Sequence, residues 1–408
     1  MTAGGLESAA GTPVVERRFP CLDGYRAVAA LTVLLSHVAF TTGRSLHGRG
    51  SSLLTHTDIG VAVFFVLSGF LLYRPMAVAR LSGRPLPSVR DYLARRVLRI
   101  VPAFWVSVVF VMLVLAVNAD VRGDAKQWLL HLGFAQIYTS NDRTLGLGQD
   151  WSLCAEVTFY LFLPCWPYLL RRLRPTRTLS VRAELICLAA LAIGGLVWLG
   201  ETHTGHGLPL IAGTWLPGHL DWFAAGMALG LVSADLKVNP HRAPRYRDLL
   251  TLADLPALCC IGAAAIYALA ATALSGPITA NALFTPGQAL CKEVLYCGIA
   301  AVFLLPGFFG DQQRGLLRRF LRTEPMRRLG EASYGIFLLH MGAMFLAFQW
   351  LHIGYFTGGF WRILVLTLAI TLPLAFASLY VVERPALRLK PPHRELLVPD
   401  SPQPVAAH

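Results

Sequence analysis

Arg26 and His37 stand eleven residues apart in an otherwise apolar run. On a helix that spacing is three turns plus ~20°, so the two side chains share a face about 16 Å apart along the axis. An imidazole with an ordinary pKa of ~6.5 can take a proton from a hydroxyl near neutral pH. A guanidinium can hold a phosphate or a nearby acid, here Asp23. At roughly 16 Å the pair cannot serve one reacting atom, so Arg26 is not an oxyanion donor for chemistry at His37. Glu156 follows Trp151-Ser152-Leu153-Cys154-Ala155 at the start of another apolar run. By helix rise it sits about 7 Å below its outer helix end, the same depth as His37. It can therefore orient the imidazole or balance its charge, as the third member of a triad does.

Other ionisable groups carry their own readings. Arg96 and Arg99 are three apart, so they project from neighbouring positions on one helix face and suit a polyphosphate. Together with Arg90 and Arg95 they suit anionic lipid and topology control equally well. Lys292 and Glu293 are neighbours and face different ways, so at least one points into the protein toward a third group. His340 falls near the middle of its run, as a candidate base or as a satisfied core residue. Ser68-Gly69 reads first as a site of close helix packing. His203 and His206 have loose metal spacing but no acidic or Cys partner nearby, so no metal is expected there. The eight cysteines contain no C-x-x-C pair, and most lie in or beside apolar runs as small buried side chains.

The elements that hold these groups follow from composition. Of 408 residues, 55% are hydrophobic and only 14% charged, against about 25% charged in a soluble domain. Mean hydropathy is +0.54. A polytopic membrane protein is the class that remains, and the net charge of +13 belongs to its loops rather than to nucleic-acid binding. Ten runs approach the ~20 residues a crossing needs: 22–42, 58–79, 100–118, 151–170, 184–199, 217–234, 254–274, 286–309, 330–350 and 360–382. They are continuous rather than alternating, so the fold is all-α, a bundle of about ten transmembrane helices. With the N-terminus inside, 28 Lys/Arg fall in inside segments and 5 in outside loops. That asymmetry places both termini in the cytoplasm. Residues 1–20 lack the apolar core of a signal peptide and read, like 391–408, as a disordered tail. Residues 21–390 form one membrane domain, with Ser88–Arg99 expected as an interfacial helix leading into the third crossing.

Six blocks in order then carry a resemblance: Leu22-Asp23-Gly24-Tyr25-Arg26 with His37; Phe64-Phe65-Val66-Leu67-Ser68-Gly69-Phe70; Arg96-Val97-Leu98-Arg99 before Ile100-Val101-Pro102; Trp151-Ser152-Leu153 with Glu156 and Phe159-Tyr160; Ser333-Tyr334-Gly335-Ile336 with His340; and Val382-Glu383-Arg384-Pro385. Over about 22–385 the chain resembles the membrane acyltransferase 3 family, with Tyr25 where an aliphatic residue is common. The resemblance implies a multi-pass bacterial cell-membrane O-acyltransferase. It would move an acyl group, acetyl expected, from acyl-CoA to a hydroxyl of a carbohydrate-containing acceptor, a surface glycan or a macrolide-type metabolite. The expected partners are acyl-CoA, that acceptor and the bilayer. No metal and no permanently bound cofactor are expected. The roles follow: His37 and Glu156 catalytic; Arg26, Arg96 and Arg99 on the CoA. The extracytoplasmic hydrolase-like domain that some members carry is not expected here. The competing reading is a glycan or lipid translocator without acyl chemistry.

Overall fold

The computed structural model describes residues 19–118, 124–139, 147–173, 180–205, 207–276 and 284–389. Helices stand at all ten expected positions: α1 Leu22–Thr41, α2 Gly60–Leu81, α3 Val89–Asn118, α4 Trp151–Phe162, α5 Val181–Thr202, α6 Leu220–Val238, α7 Pro256–Ala270, α8 Pro286–Phe308, α9 Ser333–Leu351 and α10 Phe360–Ser378. Their sequences give the reasons for their ends. Ser180 caps α5 by accepting from the Ala183 N–H, and Thr285 forms a reciprocal cap with Gln288 at α8. Pro256 and Pro286 occupy first-turn positions where no N–H is required.

Eight helical segments among the described residues are long and apolar enough to cross a bilayer, and a ninth arises if Pro240–Ala253 and Pro256–Ala270, bent by 74°, count as one. The expected ten therefore exceeds what length and composition alone admit. α7 has only 15 residues. α6 has 19 but carries Asp221, Asp235 and Lys237. Its position explains why it tolerates them: it packs along α2 and α5, and Asp221 and Asp235 are buried in protein rather than in lipid. Ser88–Arg99 is not a separate interfacial helix; Val89–Arg99 is the first part of the 30-residue α3. The tails lie outside the described residues apart from Phe19 and Pro20.

Burial sorts the bundle. In its apolar 18-residue stretch the Ser51–Leu81 segment has 72% of its residues buried, whereas Val181–Thr202 has 22% and Phe360–Arg388 28%. α2 is thus central, and α5 and α10 present Ile186, Ile193, Val197, Trp361 and Val365 outward to lipid. The tightest seam joins α2 to α6. A Cβ on Gly69 would lie 2.3 Å from the Phe223 carbonyl oxygen, and one on Gly226 would lie 2.1 Å from that of Val66. Backbones meet there because both helices lack a side chain at the crossing. Three aromatic rings stack beside it, Phe65 on Phe223 at 4.4 Å and Phe159 on Phe223 at 4.0 Å. Gly60 likewise seats α2 on α1, since its Cβ would meet the Ala29 carbonyl oxygen at 2.3 Å.

Candidate functional site

A cavity of about 800 Å³, its open mouth included, lies between α1, α2, α3, α4 and α9. Arg26, Arg96, Arg99, Glu156 and Tyr160 line it together with Ser68, Leu71 and Tyr334. The helix periods explain the grouping. Arg96 and Arg99 share a face of α3, and Glu156 and Tyr160 are one turn apart on α4. The Tyr160 hydroxyl donates to Glu156 Oε1 at 2.6 Å, and the Ser68 hydroxyl donates to the same oxygen. The Arg96 guanidinium stands 6.0 Å from the Tyr160 ring centroid. Arg26 keeps Asp23 at 3.6 Å. The Tyr334 hydroxyl donates to the Ile100 carbonyl at 2.8 Å, tying α9 to α3 at the cavity wall.

The lining of this cavity is net positive. Three guanidiniums line it beside one carboxylate, and Asp23 and the buried Glu383 stand nearby. Arg96 Nε is buried without a hydrogen-bond partner among the described residues. A buried donor left unpaired is costly, and an anion entering the cavity would satisfy it. The cavity therefore suits a phosphate-bearing ligand.

His37 occupies a different place. It is absent from the cavity lining and pairs with His340, whose Nε2 is 3.2 Å from His37 Nδ1. The ring centroids are 5.1 Å apart. His340 is fully buried and His37 half-buried. Phe337 links the two regions: it lines the cavity, and its ring is 6.1 Å from that of His340. Thus Arg26, Arg96, Arg99 and Glu156 come together, while His37 stands apart with His340. Glu156 matches His37 in reckoned depth, but its hydrogen bonds go to Ser68 and Tyr160. Helix rise fixes depth and says nothing of which neighbour a side chain faces.

Lys292 and Glu293 diverge as neighbours on a helix must. Lys292 Nζ donates to Asp58 Oδ2 at 2.8 Å, and Tyr296 donates to the other oxygen. Glu293 Oε1 meets His219 Nδ1 at 2.8 Å. Among the described residues no group of three or more His, Cys, Asp or Glu is placed to hold a metal ion; His206 lies outside them. At the helix Glu324–Glu331, which packs on α1, Arg327 and Arg328 bond to Glu324 and hold its carboxyl down at about 2. Arg384 reaches Glu331 at 3.0 Å and fastens the closing segment to that helix.

Sequence reasoning missed Ser68, Tyr160 and Tyr334 as cavity groups. Tyr160 had a legible signal, its i+4 spacing from Glu156. Ser68 had none, because its partner sits 88 residues away.

The cavity and the histidine pair are assembled from residues of all the blocks but the last, whose buried Glu383 accepts from Ser378 at 3.4 Å. An acyltransferase domain family matches residues 19–380. The chain belongs to that family. It is 27% identical over 384 residues to YrhL of Bacillus subtilis, covering 90% of this chain and 55% of that protein. It is 26% identical over 339 residues to the acyltransferase MdmB of Streptomyces mycarofaciens, covering 79% and 78%. The peptidoglycan O-acetyltransferase OatA of Listeria monocytogenes is 23% identical over 384 residues, covering 90% and 55%. The chain thus spans about half the length of YrhL and OatA. No solved structure matches it.

Proposed function

We propose that this chain transfers an acyl group, acetyl expected, from acyl-CoA to a hydroxyl of a carbohydrate-containing acceptor, with His37 as general base. The observation that carries the reading is the make-up of the cavity: the guanidiniums of Arg26, Arg96 and Arg99 share its wall with Phe337, whose ring is 6.1 Å from that of His340 in the histidine pair. The anionic end of CoA would sit among the guanidiniums. Its thin pantetheine arm would run between apolar side chains such as Leu67 and Leu71 toward His37.

The chemistry balances without a metal. His37 Nε2 takes the proton of the acceptor hydroxyl as the oxygen attacks the thioester carbonyl carbon. The carbon–sulfur bond breaks, and the departing thiolate of CoA takes the proton from the imidazolium. The products are an ester and free CoA. Glu156 would act on the donor side, holding Ser68 and Tyr160 in place beside Arg96, rather than on the imidazole. The name of OatA suggests a peptidoglycan acceptor; a macrolide-type acceptor rests on the family resemblance, with MdmB matched along most of this chain as an acyltransferase.

Native membrane vesicles carrying the overexpressed chain, supplied with radiolabelled acetyl-CoA, test the proposal. Label should pass to a membrane or glycan species with matching thiol release, and His37→Ala should abolish most of it. Thiol release equal to that of vesicles without the chain would sink the reading and leave a translocator. The charge asymmetry of the loops supports cytoplasmic termini. A reporter fused after His408 should be active inside the cell; activity outside would reverse the orientation and move the donor site away from cytoplasmic CoA.

A further inference from the structure

We infer that His340 is the positioning residue of the reaction: it fixes His37 in the tautomer that carries its proton on Nδ1 and leaves Nε2 as the base. The inference rests on the role proposed for His37 and adds what sets its protonation state.

The hydrogen bonds give the direction. His37 Nδ1 is 2.9 Å from the Val33 carbonyl oxygen, and a carbonyl only accepts. Nδ1 therefore bears the hydrogen. His340 Nδ1 is 3.1 Å from the Ile336 carbonyl oxygen and bears its hydrogen for the same reason. In neutral His340 this leaves Nε2 as a lone pair, and that atom is 3.2 Å from His37 Nδ1. The His37 N–H is thus shared between a carbonyl of its own helix and the imidazole of α9. With Nδ1 occupied twice, the lone pair of a neutral His37 is on Nε2.

The intrahelical contact alone is ordinary. His56, His131 and His203 make the same bond to the carbonyl four residues back. What sets His37 apart is the second acceptor, supplied across a helix interface by a side chain with no solvent exposure. The bond also answers a need of His340. Without it the buried Nε2 would lack a partner, which costs about 1–3 kcal/mol. Each imidazole settles the other, so the motif that ends in His340 has a chemical role beyond filling the core. A wrong tautomer would present an N–H to the acceptor hydroxyl, and an N–H cannot take its proton.

The test compares His340→Phe, which keeps a flat ring without nitrogen, with His340→Gln, whose amide oxygen can accept from His37. In protein labelled with 15N-histidine in lipid nanodiscs, a His37→Gln difference spectrum picks out His37 from the twelve histidines. Wild type should show Nδ1 protonated and Nε2 bare. His340→Phe should lose that single tautomer and lower acetyl transfer roughly 10-fold or more, with the KM for acetyl-CoA unchanged. His340→Gln should recover part of both. A wild-type spectrum with the proton on Nε2 overturns the inference, even if a variant fails to fold. So does a His340→Phe protein with unchanged tautomer and rate. If His37→Ala retains transfer while the tautomer still follows His340, the pairing stands and the role of His37 as base falls instead.

Discussion

The cavity around Arg96 and the pair His37–His340 solve opposite problems within one bundle. The cavity gathers charge of mostly one sign and leaves a donor, Arg96 Nε, without a protein partner. The histidine pair closes on itself: three of its four nitrogens are engaged by Val33, Ile336 and each other. An unsatisfied site invites a ligand, whereas a satisfied one fixes an orientation. Affinity and rate should therefore separate cleanly between the two regions.

The largest effect should come from the pair. His37→Ala should lower turnover by about 10²–10⁴-fold, the usual worth of a general base, with donor affinity retained. Wild-type turnover should fall at acid pH as the imidazole takes up a proton, and the residual activity of the variant should lose that limb. If the variant keeps a near-wild-type rate and the same limb, the base lies elsewhere. Next comes the cavity. Replacing Arg96 and Arg99 together with Ala should weaken acetyl-CoA binding by roughly 10- to 100-fold, the size expected for charge-assisted hydrogen bonds worth about 1.5–3 kcal/mol. Lys should restore it only in part because it cannot bind a phosphate in bidentate fashion. Calorimetry that finds unchanged affinity in the double variant would move the donor site out of this cavity.

A smaller effect tests which region owns Glu156. Glu156→Gln keeps an acceptor for Ser68 and Tyr160 but loses the charge. The expected outcome is a change of a few-fold, about 0.5–1 kcal/mol, in the KM for donor and little change in the pH profile. A shifted acid limb instead would return Glu156 to the imidazole. The smallest effect lies outside both regions. The carboxyl of Glu324 is held at about 2, below its ordinary value, so its contribution to stability is full above that ordinary value and lost as pH falls toward 2. The melting temperatures of wild type and Glu324→Gln should differ slightly near neutral pH and converge in strong acid; the pair is exposed, so the gap is small.

The sequence carried the helices and their order because lipid leaves an apolar run few alternatives. It carried the grouping of Arg96 with Arg99 because helix periodicity places residues three apart side by side. It could not carry contacts between helices. The partner of His37 sits 303 residues away, and equal depth made Glu156 admissible in its place. Lys292 and Glu293 show the boundary well: their divergence was legible from neighbouring positions on a helix, but Asp58 and His219 as the groups they reach were not. α6 shows the same limit: its Asp221 and Asp235 are buried in protein, and hydropathy reports composition, not whether a helix faces lipid or protein.

The seam between Gly69 and Gly226 constrains what this cavity can become. α2 supplies Ser68, Leu71 and Leu72 to the wall, and it rests backbone to backbone on α6, with no side chain between them at the crossing to trim. That wall has nowhere to retreat. More room would have to come from side chains rather than from a shift of the helix: Leu71 and Leu72 on α2, or Ile100, Leu153 and Phe337 on its neighbours, each of which can be shortened. The size of this cavity is therefore set side chain by side chain, with the backbone of α2 as its fixed edge.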